Sequence, residues 1–300
     1  MNRRFGSRTF DIINISFFVI VGFLTLYPFW NILVLSFNDA TDAMTGGIYL
    51  WPREFSLSCY QYIFTSDKNL PIAFFNSVLR TVLGTALSVL STTLVSYVLS
   101  RKDFVARRLF STLFIISMYF SGGLIPFYIL IKQLHLMNNF LVYIIPPFMS
   151  TPGLISAFYL IIMRTFIQDI PPSLQEAASV DGANDFQIFA KIIFPLCKPV
   201  VATIALFIAV AQWSSWQDTY FFTSMSPNLT TLQFEMVKII TQASSLTNMQ
   251  YVGPGASQVS ITPTAIQDCI IIIATVPILV IYPFLQKYFV TGLTIGAVKE

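Results

Sequence analysis

Long apolar runs alternate with short polar segments along almost the whole chain. An α-helix needs about 20 apolar residues to cross the hydrocarbon core of a bilayer, and six runs reach or approach that length. The pattern predicts membrane-spanning helices at roughly 12–36, 72–99, 109–131, 140–163, 195–216 and 266–286. Prolines occur within several runs, and membrane helices tolerate them because neighbouring helices satisfy the freed carbonyls. We therefore predict an all-α membrane protein with a single domain, 1–300.

Two longer polar segments, about 37–71 and 217–265, interrupt this pattern. Both are rich in Gly, Pro, Ser, Thr and aromatic residues, and neither shows a helical apolar period beyond a short element. Segments of this size are large enough to bind another molecule, although solvated connectors would have the same composition. Spacing leaves the two interpretations open.

Composition and charge agree with a membrane location and give it an orientation. The chain is 55% hydrophobic and 10% charged, with a mean hydropathy of +0.70, whereas soluble domains carry about 25% charged residues. Twelve Lys and Arg residues fall in segments on the side of the N-terminus and four in the opposite loops. This bias predicts that both termini are cytoplasmic. A net charge of +3 is too small to suggest a nucleic acid partner.

The segment between the fourth and fifth runs, PSLQEAASVDGANDF (172–186), is polar and contains helix signals. Ser173 and Glu176 have the spacing of a capping box, so a helix is expected to begin near Leu174. Gly182 is expected to end that helix, because glycine readily adopts the left-handed conformation of helix C-termini. Either Asn184 or Asp185 can cap the next helix. The spacing predicts a helix–Gly–helix elbow, 173–194, on the cytoplasmic side, in which Glu176 serves as an internal cap or as a contact to a partner.

The elbow also resembles a family signature. Permease subunits of binding-protein-dependent ABC importers carry E-A-A-x3-G-x9-I-x-L-P in this loop. Here Glu176-Ala177-Ala178 is followed by Gly182, Ile192 and Pro195 at that spacing, and Phe194 replaces the leucine. Residues 76–108 resemble the start of the transport core of carbohydrate permeases, and 120–139 resembles the branch that imports complex oligosaccharides or polysaccharide fragments. The tail 292–300 is similar to that of maltose-type permeases.

This resemblance implies a type I ABC importer permease fold in the cell membrane of a prokaryote. It implies that the elbow is a coupling helix that docks on a separate ATPase, through Glu176, Ala177, Ala178, Asp181 and Gly182. The cytoplasmic tail, 287–300, is implied to reach the ATPase dimer through Gly292, Gly296 and Lys299. The implied partners are a second permease subunit, two cytoplasmic ATPase subunits and an extracytoplasmic sugar-binding protein. The implied function is import of oligosaccharides, with ATP and Mg²⁺ bound by the ATPase and no cofactor on this chain.

Other functions lack their usual motifs. No G-x-x-x-x-G-K-[ST], H-E-x-x-H or G-x-S-x-G sequence occurs, so nucleotide binding, zinc peptidase and serine hydrolase chemistry are not predicted. The sole histidine, His135, reads as a loop residue, and the scattered cysteines predict neither a metal site nor a disulfide framework. An ion-coupled secondary transporter would place ionisable groups deep in its spans. Arg80, Asp218 and Asp268 are the candidates, and they lie near predicted span ends. An ABC permease for a non-sugar solute remains the main alternative.

Polar and aromatic residues gather at the outer end of the fifth predicted span. Aromatic rings there could stack on sugar rings, but Trp and Tyr also favour membrane interfaces for their amphipathic character. The candidates for a sugar path are Gln212, Trp213, Trp216 and Tyr220.

Overall fold

The computed structural model describes residues 5–66, 69–250 and 262–297, and the regular structure in these ranges is helical. The helices are α1 (Phe5–Ser36), α2 (Ala40–Met44), α3 (Ser58–Ser66), α4 (Leu70–Ser100), α5 (Arg107–Tyr119), α6 (Leu124–Gln133), α7 (Ala157–Gln168), α8 (Pro172–Val180), α9 (Asp185–Ile188), α10 (Phe194–Leu196), α11 (Lys198–Ser214), α12 (Gln217–Phe222), α13 (Leu232–Gln250) and α14 (Pro263–Ala297). A π-helical turn, Phe189–Ile193, joins α9 to α10, and 3-10 turns occur at Phe140–Tyr143 and Pro227–Leu229. Isolated β-bridges are the only extended pairing in these ranges. The prediction of an all-α fold is confirmed.

Three helices in the described part of the chain are long and apolar enough to cross a membrane: Phe10–Ser36, Leu70–Ser100 and Pro263–Val280. They correspond to the first, second and sixth predicted spans. The fifth predicted span is α11 preceded by a bend: Asp185–Leu196 and Lys198–Ser214 meet at 79°. The helix in that run therefore begins at Lys198 rather than at Pro195.

The third and fourth runs do not form the continuous helices that were predicted. The third is divided into α5 and α6 by residues 120–123, where Gly123 has a φ of +85°. In the fourth, residues 144–156 contain no helix. Proline at 146, 147 and 152 removes backbone donors and biases the preceding residue away from helical angles. Apolar content alone suggested continuous spans, and backbone chemistry excludes them.

Two further boundaries differ from the prediction. The segment 217–265 contains α13, a helix of 19 residues, although only short elements were expected there. Leu232, Met236 and Ile239 are buried in α13. Their spacing of four and three residues is the apolar period of an amphipathic helix, which was not identified from the sequence. The last helix begins at Pro263 and continues to Ala297. Most of the predicted tail 287–300 is therefore an extension of α14.

The described residues form two compact units, and the prediction of a single domain stays a prediction. In the unit that contains Asn69–Val237 and Pro277–Glu300, α4 packs against α7 and α11. α4 presents small buried residues, including Ser77, Gly84, Ser88, Thr92 and Ser96, which allow close approach of neighbouring membrane helices. The core of this unit contains Val89, Tyr97, Met163, Ile167, Ile204 and Ile208.

The other unit contains Met1–Lys68 and Lys238–Val276. Asn38 organises its polar segment: the side-chain oxygen accepts bonds from the N–H groups of Arg53 and Glu54 at 2.7 and 3.0 Å, and its amide donates to Asp42 at 2.9 Å. Most apolar side chains of α1 between Phe10 and Trp30 are exposed, as expected of a helix that faces lipid.

Candidate functional site

The predicted elbow consists of two short helices joined by a left-handed glycine. α8 begins at Pro172, with Pro171 as the N-cap and no side-chain cap. Proline is favoured at the first helical position because its missing N–H would have no helical acceptor. The predicted Ser173–Glu176 capping box is therefore wrong, because Ser173 already lies inside the helix.

Gly182 ends α8 as predicted, with a φ of +82°. The N–H of Gly182 donates to the carbonyl of Ser179 at 3.1 Å, and the N–H of Ala183 donates to the carbonyl of Ala178 at 3.0 Å. This pair of bonds is a Schellman motif, in which a left-handed residue satisfies the last carbonyls of a helix. The helix therefore ends at a defined position, and the chain leaves it through Gly182.

The second helix of the elbow, α9, has a complete capping box. The Asn184 side chain accepts a bond from the N–H of Gln187 at 2.9 Å, and the Gln187 side chain accepts one from the N–H of Asn184 at 3.0 Å. Sequence spacing left Asn184 and Asp185 as alternative caps, and the structure selects Asn184.

Arg101 links the end of α4 to the elbow. Its guanidinium donates to the Asp185 carboxylate at 2.9 Å and holds Asp103 through two bonds of 2.9 and 2.7 Å. The hydrogen bond from Arg101 lowers the pKa of Asp103, and the same bond raises the pKa of Arg101. Both groups are therefore charged at neutral pH.

The elbow displays the residues of the family signature on its surface. Glu176, Ala177, Asp181 and Gly182 are exposed, whereas Ala178 is half-buried against the core of its unit. Apolar side chains accompany them: Leu174, Val180 and Phe186 are 44%, 88% and 70% exposed. A polar membrane loop that exposes such residues on rigid, capped helices has the form of a docking surface.

A second cluster of polar residues is buried inside the same unit. Arg80 of α4 and Asp218 of α12 form an ion pair with two bonds of 3.1 and 2.5 Å, and both side chains are almost completely buried. The carboxylate also accepts the N–H of Thr219 at 2.9 Å. Because a buried charge is costly unless it is paired and hydrogen-bonded, this arrangement requires close fit of the two helices.

Gln212 and Tyr143 complete this cluster, which we call the Arg80 cluster (Arg80, Tyr143, Gln212, Asp218). The Gln212 oxygen accepts bonds from Arg80 at 3.2 and 3.0 Å, and its amide donates to the carbonyl of Tyr143 at 3.2 Å. The centre of the guanidinium lies 4.5 Å from the centroid of the Tyr143 ring, within the range of a cation–π contact.

The structure separates the four candidate sugar-path residues into two pairs. Gln212 is completely buried and bonded to Arg80, and Trp213 is buried with an edge contact to Phe74. Trp216 and Tyr220 contact each other edge to face, with ring centroids 6.2 Å apart, and Tyr220 is 55% exposed. Gln212 therefore takes part in the packing of α4 against α11, whereas Trp216 and Tyr220 retain accessible surface. The assignment of the four residues to a sugar path stays a prediction.

Two cavities lie where the predicted third and fourth spans are interrupted. One, of about 520 Å³, has a mixed lining, in which hydroxyl-bearing residues lie beside apolar ones such as Phe114, Met118 and Phe158. The hydroxyl-bearing residues are Ser117, Ser150, Thr151, Ser156 and Tyr159. The other, of about 490 Å³, is lined by the two backbone breaks, which contribute Ser121, Gly122, Gly123, Pro147 and Met149. Non-helical backbone at membrane depth is tolerated where it is buried in protein or lines an aqueous cavity.

Metal and thiol chemistry have no evident site in the described ranges. No group of three or more His, Cys, Asp or Glu side chains in those residues could hold a metal ion. Cys59, Cys197 and Cys269 are buried free thiols.

Two features of the site were not predicted from the sequence. Hydropathy places Arg80 and Asp218 near span ends. Arg80 nevertheless lies inside the run 72–99, and a charged residue inside an apolar run is itself a signal for a buried partner. The cavities were not predicted because the prolines near 146–152 are compatible with a membrane helix by hydropathy alone, and the Gly122–Gly123 pair was not considered as a break.

A family model and several known transport proteins are similar to this chain. The family described as "Binding-protein-dependent transport system inner membrane component" matches residues 84–290. The polygalacturonan/rhamnogalacturonan transport system permease protein YtcP of Bacillus subtilis is 35% identical over 98% of this chain and 99% of that protein. The arabinooligosaccharides transport system permease protein AraQ of Halalkalibacterium halodurans is 27% identical over 94% of each chain.

A solved structure is also similar. The fold matches a chain of a bacterial ABC transporter involved in the import of the acidic polysaccharide alginate, with a TM-score of 0.77 and 27% identity. The match covers 96% of this chain and 99% of that chain.

Proposed function

The chain belongs to the family of binding-protein-dependent transport system inner membrane components, and we propose that it is the permease subunit of an ATP-driven importer of oligosaccharides. As a member of this family it is a transport subunit rather than an enzyme. The observation that carries the substrate class is that a relative 35% identical over 98% of the chain is named for polygalacturonan and rhamnogalacturonan transport. Because the similar solved transporter imports another acidic polysaccharide, we propose fragments of uronate-containing polysaccharides as substrates.

The elbow is proposed to dock on a cytoplasmic ATPase that binds ATP and Mg²⁺. Its exposed residues Glu176, Ala177, Asp181 and Gly182, with Ala178 beneath them, would form the contact. The support is geometric, because two short helices joined by a hydrogen-bonded turn expose apolar side chains beside the signature residues. Gly292 and Gly296, in the last turns of α14, are proposed as further ATPase contacts. Lys299, the third predicted tail residue, lies outside the described residues.

The remaining partners are a second permease subunit, in a heterodimer, and an extracytoplasmic sugar-binding protein. We propose that the chain crosses the membrane of a prokaryotic cell six times, with both termini in the cytoplasm, and that two of the crossings are interrupted helices. The two cavities beside those interruptions, together with Trp216 and Tyr220, are the proposed path of the sugar. The mixture of hydroxyl-bearing and aromatic residues at the first cavity suits a sugar, which offers hydroxyls and an apolar ring face.

Reconstitution tests this function. The chain would be co-purified with its second permease and ATPase, placed in proteoliposomes that enclose ATP and Mg²⁺, and supplied with the binding protein and labelled trigalacturonate. We expect accumulation that requires both ATP and the binding protein, with maltotriose taken up much more slowly. Uptake driven by an ion gradient without ATP would overturn the assignment. ATP-dependent uptake of maltotriose but not trigalacturonate would overturn only the acidic substrate class.

A further inference from the structure

The Arg80 cluster holds a segment of the chain against α4 by more than one contact. This segment, residues 215–231, contains α12 and the turn Pro227–Leu229. Asp218 pairs with Arg80, and the carbonyl of Ser215 lies 3.5 Å from the same guanidinium. These contacts join residues far apart in the chain. We propose that the Arg80 cluster is a positioning device that makes α4 and the segment 215–231 move as one body during the transport cycle.

Additional bonds hold the far end of the segment to the same helix. Asn76 of α4 donates to the carbonyls of Asn228 and Thr230 at 2.8 and 3.0 Å. The Ser77 hydroxyl accepts the N–H of Leu232 at 2.8 Å. One end of α4 therefore holds the beginning and the end of the segment.

Tyr143 also forms hydrogen bonds with the segment 215–231. Its hydroxyl donates to the carbonyl of Leu229 at 2.7 Å and lies 2.5 and 3.1 Å from the hydroxyls of Thr223 and Thr219. The side chains of Tyr143, Thr219 and Thr223 are buried, and Leu229 is half-buried. A shift of about 1 Å between α4 and the segment would break several of these bonds at once, because hydrogen bonds weaken steeply outside their normal geometry.

Stability alone does not account for the ion pair. Replacing a buried ion pair by well-packed apolar residues is often neutral, or stabilising by about 1–4 kcal/mol. The ion pair instead provides orientational specificity, because the planar guanidinium matches the carboxylate in one orientation. The pair therefore specifies the register of α4 against the segment.

α4 can carry this register to the elbow. It is one helix of 31 residues, with its sole proline in the first turn, so it extends about 46 Å at 1.5 Å per residue. Arg101 at its other end holds Asp185 of α9. Under the proposed function, the ATPase displaces the elbow, and the continuous helix α4 transmits that displacement to the segment 215–231. The positioning role rests on that function.

The decisive variant removes the ion pair without leaving an isolated buried charge. In Arg80→Met/Asp218→Leu, apolar side chains replace both ions, and the Gln212 oxygen loses its donor, so the complex is expected to assemble with somewhat lower stability. Trigalacturonate imported per ATP hydrolysed is expected to fall about tenfold, within the usual range of coupling between sites. A purely structural role would reduce uptake and ATP hydrolysis together and leave this ratio unchanged.

A matched control and a milder variant accompany it. Thr93 of α4 is also buried, but its hydroxyl bonds only to its own helix, at the carbonyl of Val89; Thr93→Val should keep the wild-type ratio. Arg80→Lys keeps the positive charge opposite Asp218 but loses the planar guanidinium, so the amount of trigalacturonate imported per ATP hydrolysed should fall severalfold. This single variant tests the proposal independently of whether the double variant assembles. A wild-type ratio in Arg80→Lys or in an assembled double variant would overturn the positioning role. A wild-type complex that takes up neither trigalacturonate nor maltotriose in the presence of ATP and the binding protein would overturn the proposed function, and with it the positioning role.

Discussion

The absence of a side chain at Gly84 provides room for the Arg80 cluster. A Cβ atom at this position would lie 2.8 Å from Nε2 and 3.0 Å from Cδ of Gln212. Gln212 is held from two sides, by Arg80 and by the carbonyl of Tyr143, so it has little freedom to withdraw. One glycine in α4 therefore determines how closely α11 can approach.

Gly84→Ala is expected to destabilise the protein by about 1–3 kcal/mol, because an added methyl group in a packed interior forces its neighbours to move. The thermal unfolding midpoint of the purified complex would measure the change. The control is Gly22→Ala in α1, where a Cβ atom would have no neighbour within 4 Å. An unchanged midpoint in Gly84→Ala would contradict the packing described here.

At the scale of elements, local hydrogen bonds at the junction of α8 and α9 define the shape of the elbow. The Schellman motif at Gly182 and the capping box at Asn184 satisfy the ends of α8 and α9 within the elbow itself. The two helices can therefore keep their shape on an exposed surface. Gly182 also has open space around its Cα, since a Cβ atom added there would have no neighbour within 4 Å. Any effect of substitution there reports backbone conformation and not a steric clash within the chain.

Gly182→Val should lower oligosaccharide uptake by about tenfold, because a β-branched residue at positive φ carries a strain of about 1–3 kcal/mol. Gly182→Asn is the matched control, since asparagine adopts the left-handed conformation more readily. Uptake and ATP hydrolysis would be followed in the same vesicles. Unchanged uptake in Gly182→Val, with normal assembly of the complex, would show that the left-handed turn is not required for coupling.

At the scale of the whole molecule, the distribution of Lys and Arg predicts which loops lie on each side of the membrane. Arg101 and its neighbours follow α4, whereas the segment after α1 holds Arg53 in an ion pair with Asp42. The positive-inside bias predicts that the loop 101–106 and the elbow are cytoplasmic and that the segment 37–57 lies outside.

Labelling of single cysteines tests this orientation. In a variant that lacks Cys59, Cys197 and Cys269, a cysteine would replace Met44 or Val105, which are 74% and 97% exposed. Met44→Cys should react with a membrane-impermeant maleimide in intact cells, and Val105→Cys only after permeabilisation. The reverse pattern would invert the topology and remove the elbow from the cytoplasm.

The sequence alone was sufficient for several features, because each depends on local chemistry. Apolar run length predicted α1, α4 and the membrane part of α14, and Gly182 predicted the end of α8. The signature from Glu176 to Pro195 indicated the family that the comparisons establish. Each of these signals lies within a short stretch of the chain, so no knowledge of distant residues was needed.

Only the tertiary structure decided the rest. Arg80 and Asp218 lie 138 positions apart, and neither residue type reveals which distant partner compensates its burial. The interrupted third and fourth spans could not be inferred from apolar content, because hydropathy measures transfer from water and is insensitive to the backbone angles of glycine and proline. The contacts of Gln212 could not be inferred for the same reason. A glutamine at a helix end can bond to many groups, and only the packing of α4 against α11 shows that this one accepts bonds from Arg80.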